Sequence, residues 1–466
     1  MINPIQVADS AISSDTIYAI ATGTGGAIGV VRLSGPGSIS AAEAVFKPCG
    51  HTPLSERPSS SLVYGTVVDD HGETLDDVVV SVYRAPHSYT GEDCIEFSCH
   101  NSPYVLHTLC SLLSRHGCRL AAPGEYTQRA FVNGKMDLSQ AEAVADLISS
   151  TTSASHRLAI QQMKGTYSQA IRSLRDALLH IASLMELELD FGDHEELEFV
   201  DRSEVRDKLK QVLGLIHRLA DSFRLGNAIK QGLPVAIVGD TNVGKSTLLN
   251  QLLGEDRAIV SPVQGTTRDV IEDTVNIGGH LFRFIDTAGL RHTDDPVEQI
   301  GIRRALDRLS QAQIILHVVD ATQPSVSEVP VSEGQQLVTV YNKADLLRPD
   351  QIEQLTGGKA STTHPVIAIS AKTGEGLQAL TDLLLDFASP TDDTQGVIVS
   401  NLRHYQALQA AGEAAQRVLH GFDINLPTDL ISQDLRECID HLSDIIGEVT
   451  SDDVIHNIFA HFCIGK

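Results

Sequence analysis

The sequence predicts a multidomain protein of the α/β and α classes: an N-terminal α+β domain, a helical domain, and a Ras-like P-loop α/β domain inserted into the helical domain. Three observations predict this architecture. The chain has 466 residues, which corresponds to about three domains. Its apolar residues change from a strand pattern to a helical one, and then to alternating strands and helices. The helical pattern returns after Pro390.

These changes set the predicted domain boundaries. Residues 1–130 form the N-terminal domain, residues 131–230 the first part of the helical domain, residues 231–389 the inserted α/β domain, and residues 390–466 the second part of the helical domain. Because helical segments flank the α/β segment on both sides, an insertion is the simplest arrangement.

The N-terminal segment contains short runs of Val, Ile and Tyr separated by Gly, Pro and Asp, which is typical of strands. One helix is predicted between them, at Tyr104–Arg115. The predicted strands are Thr16–Ala21, Ala27–Leu33, Ser61–Val68, Asp77–Tyr83 and Cys94–Ser98.

Helical segments follow. A capping box of Ser139 and Glu142 is predicted to begin one helix, and another helix follows Ser203. Near the end of the chain, apolar residues recur at helical spacing, which predicts a buried helix face. They are Leu435, Ile439, Leu442 and Ile446.

The α/β segment alternates short apolar runs with helical stretches, which predicts a parallel sheet with crossover helices. The predicted strands are Val235–Val238, Phe282–Asp286, Ile314–Asp320, Leu337–Tyr341 and Val366–Ser370.

The charge balance excludes a protein that binds nucleic acid over its whole surface. Asp and Glu number 60 and Lys and Arg 35, so the formal net charge is −25. Any contact with nucleic acid must use a local patch. Seven cysteines, an odd count in a long chain, argue against a secreted disulfide framework.

The sequence shows neither a signal peptide nor a membrane span. The opening residues, MINPIQVADS, lack a basic and an apolar stretch. No apolar run approaches about 18 residues. We therefore expect a cytoplasmic protein that does not enter a membrane.

A phosphate-binding loop is predicted after the first strand of the α/β segment. Residues 239–246, Gly-Asp-Thr-Asn-Val-Gly-Lys-Ser, fit G-x-x-x-x-G-K-[ST], and a helical run, Leu248–Leu253, follows. Backbone N–H groups of such a loop surround the phosphates, the lysine supplies charge to the β- and γ-phosphates, and the serine hydroxyl coordinates Mg²⁺. The loop residues expected at the nucleotide are Asn242, Val243, Gly244, Lys245 and Ser246.

Four further motifs follow in the order that a GTPase requires. The carboxylate of the third motif, Asp345, can accept both N1–H and N2–H of guanine, which selects GTP over ATP. The motifs are Gly265-Thr266-Thr267 in a predicted switch loop, Asp286-Thr287-Ala288-Gly289 at a strand end, Asn342-Lys343-Ala344-Asp345 after another strand, and Ser370-Ala371-Lys372.

The motifs do not identify the residue that orients the attacking water. Ras-type enzymes use a Gln directly after the D-x-x-G glycine. Here that position is Leu290, which cannot orient water. The candidates in the following loop are Arg291, Asp294, Asp295 and Glu298, and for most of them a solvated surface is the simpler interpretation.

Asn242 has two interpretations. An Asn in a phosphate loop can satisfy a turn. Its amide oxygen can instead bind a monovalent cation beside the phosphates, which would replace the charge of an arginine finger. The residues alone favour the turn.

Cys94, Cys99 and His100 are predicted not to form a metal site. Positions five apart on a strand point to opposite faces. We therefore expect both cysteines to be buried apolar residues.

Longer motifs resemble those of a known family. The runs Gly-Thr-Thr-Arg-Asp at 265–269 and Asp-Thr-Ala-Gly-Leu-Arg at 286–291 resemble the TrmE–Era–EngA class of GTPases. Together with the following motifs, they resemble the MnmE (TrmE) family of tRNA modification GTPases over essentially all 466 residues. The motifs are GVVRLSG at 29–35, PGE at 123–125, RAF at 129–131, KMDL at 135–138 and FCIGK at 462–466.

The resemblance implies a function and several partners. It implies a homodimer formed through the N-terminal domain and a heterotetramer with an FAD-containing partner of the GidA/MnmG type. Together they would add an aminomethyl or carboxymethylaminomethyl group to C5 of wobble uridine 34 of tRNA. The one-carbon unit would come from a folate, 5-formyl- or 5,10-methylene-tetrahydrofolate, in the N-terminal domain. K⁺-dependent pairing of the G domains would drive GTP hydrolysis.

The resemblance also assigns residues. Thr247, Ser261, Pro262, Val263 and Gln264 complete the GTP contacts. Ser246 and Thr267 match the Mg²⁺ ligands, and Asn242, Ser261, Val263 and Thr266 match the K⁺ ligands. Glu298 matches the acidic residue that positions the attacking water, and Cys463 the family cysteine implicated in modification. Arg32, Glu96, Lys135 and Lys466 match the folate contacts, where a carboxylate suits the pterin N–H edge and cations suit the glutamate tail.

One loop departs from the family pattern. A His-Gly-Gly is expected after the Glu96 strand, whereas this chain has His100-Asn101-Ser102. Glycine permits a positive φ that Asn tolerates and Ser resists. The loop beside the expected folate pocket can therefore take a different path.

The alternative function is that of a regulatory GTPase of the Era or EngA kind, which would act in ribosome assembly without covalent chemistry. Era-type proteins carry a basic RNA-binding module and EngA repeats its G domain. This chain has one G domain and no basic tail. Its long N-terminal α/β region would have no role in that alternative.

Overall fold

The computed structural model describes residues 15–23, 25–191, 202–255, 273–286, 309–325, 328–332, 334–357, 364–388, 396–449, 452–460, 462 and 465. The described residues form two compact units. The first draws on Met1–Ala145, Gln162–Asp201 and Gly421–Lys466, and the second on Asp146–Gln161 and Arg202–His420. Each unit is assembled from segments that are distant in the chain, which is what an inserted domain requires.

The first unit contains a seven-stranded sheet. Its order is β3-β4-β5-β6-β2-β1-β7, and all neighbours are antiparallel except β1 and β7, which are parallel. The five predicted N-terminal strands are confirmed, and β3 and β7 are additional short strands. The strands are β1 (Thr16–Ile20), β2 (Ile28–Ser34), β3 (Phe46–Pro48), β4 (Ser61–Val68), β5 (Thr74–Tyr83), β6 (Cys94–His100) and β7 (Cys118–Leu120).

One face of this sheet packs on helices α1 (Ser38–Val45) and α2 (Pro103–Arg115). The predicted helix at 104–115 is therefore confirmed. The alternation of the strands sends inward residues such as Val31 and Phe97, both 0% exposed, into this core. Apolar side chains also lie on the opposite, open sheet face. They are Ile28, Leu62, Tyr64 and Val79, all of which are exposed.

Helices that precede and follow the inserted domain pack together in the first unit. Helix α6 (Thr166–Phe191) packs along α13 (Thr428–Ile446), and α3 (Glu125–Val132) packs on α14 (Asp452–Ala460). The predicted apolar face of α13 is confirmed, since Leu435, Ile439, Leu442 and Ile446 are all buried. Two further helices of the chain are α4 (Leu138–Ser149) and α5 (Ser153–Met163).

The predicted capping box of Ser139 and Glu142 is wrong. The cap lies two residues earlier, where Asp137 Oδ1 accepts a hydrogen bond from the Gln140 N–H at 3.0 Å. The Asp137 N–H donates in return to Gln140 Oε1 at 3.0 Å. Ser139 lies inside the helix, and its hydroxyl donates to Asp137 Oδ1. A buried carboxylate that also pairs with Arg172 at 2.8 Å is a stronger acceptor than a serine hydroxyl.

The second unit contains a six-stranded sheet in the order β13-β12-β11-β8-β10-β9. All neighbours are parallel except the β9–β10 hairpin. The five predicted strands are confirmed, and β9 was not predicted. Strand β8 is buried along its whole length, as expected when helices cover both faces. The strands are β8 (Leu233–Val238), β9 (Asp273–Ile277), β10 (His280–Asp286), β11 (Ile314–Asp320), β12 (Gln336–Asn342) and β13 (Val366–Ala368).

Helices that precede and follow these strands along the chain also belong to the second unit. Phe223 and Tyr405 stack with ring centroids 4.5 Å apart, which joins a helix before the sheet to one after it. The helices are α7 (Arg202–Asp221), α8 (Phe223–Gln231), α9 (Lys245–Glu255), α10 (Pro349–Thr356), α11 (Leu377–Ala388) and α12 (Leu402–Asp423). Short 3₁₀ turns occur at Leu54–Glu56 in the first unit and at Ala344–Leu346 in the second. Among the described residues, no helix combines the length and apolar character that crossing a membrane requires.

We predict that Asp137→Ala lowers the free energy of unfolding by about 1–3 kcal/mol, because it removes the cap of α4 and leaves Arg172 without this carboxylate. Asp137→Asn keeps an oxygen for the cap and should cost less. Urea denaturation followed by circular dichroism measures both. Asp176→Ala, at a position where the side chain is 67% exposed, is the control. Equal stability of the two Asp137 variants would contradict the role of the cap, and wild-type stability of Asp137→Asn would contradict the role of the ion pair.

Candidate functional site

The phosphate-binding loop connects β8 to α9. Gly244 has φ +99°, and a Cβ there would lie 2.2 Å from the Asn342 amide nitrogen. No other residue fits this position, because both the conformation and the space exclude a side chain. Asn242 also has a positive φ, +63°, which Asn tolerates better than most residues. The loop therefore has the tight curvature that directs backbone N–H groups inward.

Lys245 is the first residue of α9 and turns back over the loop. Its Nζ donates to the carbonyl oxygens of Gly239 and Asp240, each at 2.7 Å. Ser246 and Thr247 follow in the first helical turn and are exposed. The ammonium group and the helix N-terminus thus lie at the same end of the loop, which is the arrangement that binds a polyphosphate.

The side chain of Asn342 joins two loops to the end of a strand. It is 3% exposed and lies at the end of β12. Its Nδ2 donates to the Val243 carbonyl at 2.7 Å, and its Oδ1 accepts from the Ala371 N–H at 2.8 Å. The phosphate loop and the Ser370-Ala371-Lys372 motif are thereby fixed to the same side chain.

Lys343 pairs with a residue that the sequence motifs did not identify. Its Nζ lies 2.6 Å from Asp320 Oδ2, at the end of β11. Burial alone would raise the pKa of the Asp320 carboxyl, but hydrogen bonds from Lys343 and Thr322 outweigh it and lower that pKa below its usual value. Asp320 is the last residue of a buried strand, and that position was the signal that could have revealed it.

The remaining base-recognition residues lie on the same sheet edge. Ala344 is buried and its N–H donates to the Ile369 carbonyl at 3.0 Å, which ties the two motifs together. Ser370 and Ala371 are buried, whereas Asp345 and Lys372 are exposed. The structure therefore brings the phosphate-binding loop, the Asn342–Asp345 motif and the Ser370–Lys372 motif together at the carboxyl ends of parallel strands, where open α/β sheets bind their ligands.

Several predicted residues lie outside the described part of the chain. These are Ser261, Pro262, Val263, Gln264, Gly265, Thr266, Thr267, Thr287, Ala288, Gly289, Glu298, Cys463 and Lys466. For Asp286 the structure places the backbone, at the end of β10, next to Ile237 of β8.

A second cluster of predicted residues lies on the N-terminal sheet. The register of β2 and β6 places Arg32 opposite Glu96, and Arg32 Nε lies 2.7 Å from Glu96 Oε1. Both side chains are about four-fifths buried. The carbonyl oxygen of Gly465 approaches Arg32 Nη1 to 3.5 Å. Gly465 has φ +96°, and a Cβ there would lie 2.8 Å from the Ile20 carbonyl oxygen, so this close approach requires glycine.

Lys135 is not part of this ion pair. Its exposed Nζ donates to the Pro86 carbonyl at 2.9 Å. The described residues therefore bring together two of the four predicted folate contacts and place Gly465 beside them.

The His100-Asn101-Ser102 segment does not use positive φ at Asn101 or Ser102. The Asn101 side chain instead donates to the Gly26 carbonyl at 2.9 Å and holds the loop between β1 and β2. Cys94 and Cys99 are buried and point to opposite sheet faces, as predicted. Burial raises the pKa of the Cys99 thiol to about 11, which favours the uncharged form.

Two tyrosines at the Arg32 site were not predicted. Tyr126 lies on α3, and Tyr89 lies in the loop between β5 and β6. Tyr126 follows the predicted PGE motif directly, but nothing in the local pattern indicates which strand residue it contacts.

The fold and the first site define the second unit as a P-loop GTPase domain. The comparisons with known proteins are consistent with this class. Residues 138–463 match the family model described as MnmE helical domain, and residues 16–135 match the model described as GTP-binding protein TrmE N-terminus. The chain belongs to the MnmE (TrmE) family of tRNA modification GTPases.

Two relatives show the extent of the similarity. The tRNA modification GTPase MnmE of Bacteroides thetaiotaomicron is 52% identical over 469 residues, covering 98% of this chain and 100% of that protein. The protein of the same name from Parabacteroides distasonis is 52% identical over 462 residues, covering 97% and 100%. Among solved structures, a variant of Era from Aquifex aeolicus bound to GDP and AlF₄⁻ is 29% identical, covering 39% of this chain and 66% of that chain, with a TM-score of 0.26.

We predict that Asp345→Asn weakens GTP binding roughly 10- to 100-fold, because hydrogen bonds to a charged acceptor are worth about 1.5–3 kcal/mol. The amide that replaces the carboxylate can donate to the O2 of xanthine, so XTP should bind the variant better than the wild type. Calorimetric titration with each nucleotide measures both changes. Asp350→Asn, at an exposed position of α10, is the matched control. An unchanged affinity for GTP would contradict the base-recognition role.

Proposed function

We propose that this protein is the GTPase component of a tRNA-modifying complex. Together with an FAD-dependent partner of the GidA/MnmG type, it adds an aminomethyl or carboxymethylaminomethyl group to C5 of wobble uridine 34, and a folate supplies the one-carbon unit. The cytoplasm is the expected location, because tRNA is the expected substrate. The observation that carries the proposal is a second, largely buried charged site, Arg32 with Glu96, in a chain that also has the base-recognition motifs for GTP at one sheet edge.

The geometry of the second site suits a pterin. Among the described residues, only one oxygen of Glu96 and two nitrogens of Arg32 have partners, which leaves Glu96 Oε2 and Arg32 Nη2 available. A carboxylate oxygen accepts hydrogen bonds from a pterin N–H edge, and a guanidinium donates to carbonyl or carboxylate oxygens. We therefore assign Arg32 and Glu96 to 5-formyl- or 5,10-methylene-tetrahydrofolate, with Lys135 and Lys466 as further candidates for its glutamate tail and Cys463 as a candidate for the modification chemistry.

The phosphate loop suits Mg²⁺ and K⁺. We assign Ser246 and Thr267 to Mg²⁺, because hydroxyl oxygens are ligands that this ion accepts. We assign Asn242 to K⁺, together with Ser261, Val263 and Thr266. The Asn242 side chain is exposed and has no hydrogen-bond partner among the described residues, so its amide oxygen is available to a cation. Glu298 is assigned to the attacking water.

The open sheet face supports the proposed homodimer. Ile28 is 65% exposed, Leu62 72% and Tyr64 56%, and Val79 lies opposite Tyr64 in the strand register. Exposed apolar side chains that cluster on one face are typical of protein contacts. We propose that this face meets a second copy of the N-terminal domain.

The proposed function is tested by nucleoside mass spectrometry of tRNA from the host with and without the gene. We predict that C5-substituted wobble uridines disappear without the protein and return with the wild type but not with Lys245→Ala, which removes the charge that faces the phosphates. Lys47→Ala, at an exposed position of β3, is the matched control and should restore the modification. An unchanged uridine profile in the deletion strain would reject the proposal and favour the regulatory GTPase.

We predict that GTP turnover is roughly tenfold or more faster in K⁺ than in Na⁺, since removing one group that stabilises transition-state charge typically slows a reaction about 10²–10³-fold. Asn242→Ala should remove the difference, whereas Asn250→Ala, at an exposed position of α9, should keep it. Steady-state phosphate release measures the rates. Equal wild-type rates in the two salts would leave only the turn interpretation of Asn242.

A further inference from the structure

The Arg32 guanidinium lies near the faces of two aromatic rings. Its Cζ is 5.9 Å from the centroid of the Tyr89 ring and 5.7 Å from that of the Tyr126 ring. Both distances fall within the range in which a cation is attracted to the face of an aromatic ring. The interaction is favoured here because the Arg32 side chain is only 22% exposed, so that water screens it weakly.

Tyr126 also contacts the backbone of Arg32. It is fully buried, and its hydroxyl donates to the Arg32 carbonyl at 2.8 Å. The helix that carries it is anchored by Arg129, which is 1% exposed and pairs with Asp15, Glu92 and Glu125. The position of the Tyr126 ring is therefore set by a buried network and not by Arg32 itself.

Tyr89 supplies the second aromatic ring. Its ring is partly exposed, and its hydroxyl hydrogen-bonds with Thr127 Oγ1 at 2.9 Å, on the same helix as Tyr126. Burial raises the pKa of the Tyr89 phenol, so the ring stays uncharged at neutral pH. The two rings are thus linked to one helix, and both contact the Arg32 guanidinium.

We infer that Tyr89 and Tyr126 form a clamp that positions Arg32 so that the Arg32–Glu96 pair is assembled before its ligand arrives. An arginine side chain loses much rotamer freedom when it binds a ligand. The clamp removes that freedom in advance, which strengthens ligand binding without a new contact to the ligand. Both tyrosines are positioning residues. The ligand class, a reduced folate, rests on the proposed function, whereas the clamp itself rests on the contacts of Arg32.

The variants that test the clamp separate the contribution of each tyrosine's aromatic ring from that of its hydroxyl. Tyr89→Leu removes an aromatic face at a partly exposed position, and Tyr89→Phe keeps it. Tyr126→Phe keeps the buried ring and removes only the hydrogen bond to Arg32. Tyr104→Leu, at a 73% exposed tyrosine of α2, is the matched control. Thermal unfolding of the full chain checks that each variant is folded.

The first measurement is the ¹⁵N–¹H NMR signal of the Arg32 Nε–H, identified by its loss in Arg32→Lys. In the wild type without ligand we expect one sharp signal at the position of a carboxylate-paired guanidinium. Tyr89→Leu should shift it toward that of a free arginine and broaden it, and Tyr89→Phe should restore it. An unchanged signal in Tyr89→Leu would overturn the clamp.

The second measurement is the Kd for 5-formyl-tetrahydrofolate. Tyr89→Leu should weaken binding roughly three- to tenfold and Tyr89→Phe should not, as expected for one cation–π contact. Wild-type affinity in Tyr89→Leu would overturn the clamp and leave the folate assignment intact. If the wild type does not bind this folate, the folate assignment fails, and the NMR signal still decides whether the clamp exists.

Discussion

The nucleotide site depends on the amide of one buried side chain. Asn342 lies at the end of β12 and hydrogen-bonds with Val243 in the phosphate loop and with Ala371 in the base-recognition loop. A residue without this amide would leave a buried carbonyl and a buried N–H without partners, at about 1–3 kcal/mol each. Gly244 is required by the same contact, because any side chain there would collide with the amide. The loops around the guanine nucleotide are therefore positioned by the sheet through Asn342.

The N-terminal site depends on strand register instead. Arg32 lies opposite Glu96 because β2 and β6 pair over seven residues, and the inward neighbours Val31 and Phe97 are packed in the core. If one of the two strands slipped by one residue, its charged side chain would turn into that core and its apolar side chains would become exposed. The burial of the core thus enforces the position of the ion pair, and the chemistry of the site follows from ordinary sheet packing.

The sequence predicted what local patterns determine. The apolar alternation of the N-terminal strands and the apolar runs before Gly239, Asp286 and Asn342 predicted the strands and the motifs at their ends. It could not predict contacts made by tertiary packing, such as Asp320 with Lys343 or Tyr126 with Arg32, because no spacing relates these residues. The capping box was wrong for a related reason: Ser139 and Glu142 fit the local pattern, but the buried pairing of Asp137 with Arg172 favours the earlier cap.

The charged groups of both sites already have partners within the chain. Lys245 donates to two loop carbonyls, Lys343 pairs with Asp320, and Arg32 pairs with Glu96. A ligand therefore does not meet bare charges. For Lys245, a phosphate replaces neutral carbonyl acceptors with anionic ones, which adds the attraction between opposite charges to the hydrogen bonds. The exchange favours the ligand. Until a ligand binds, the internal contacts keep the ammonium group at the loop.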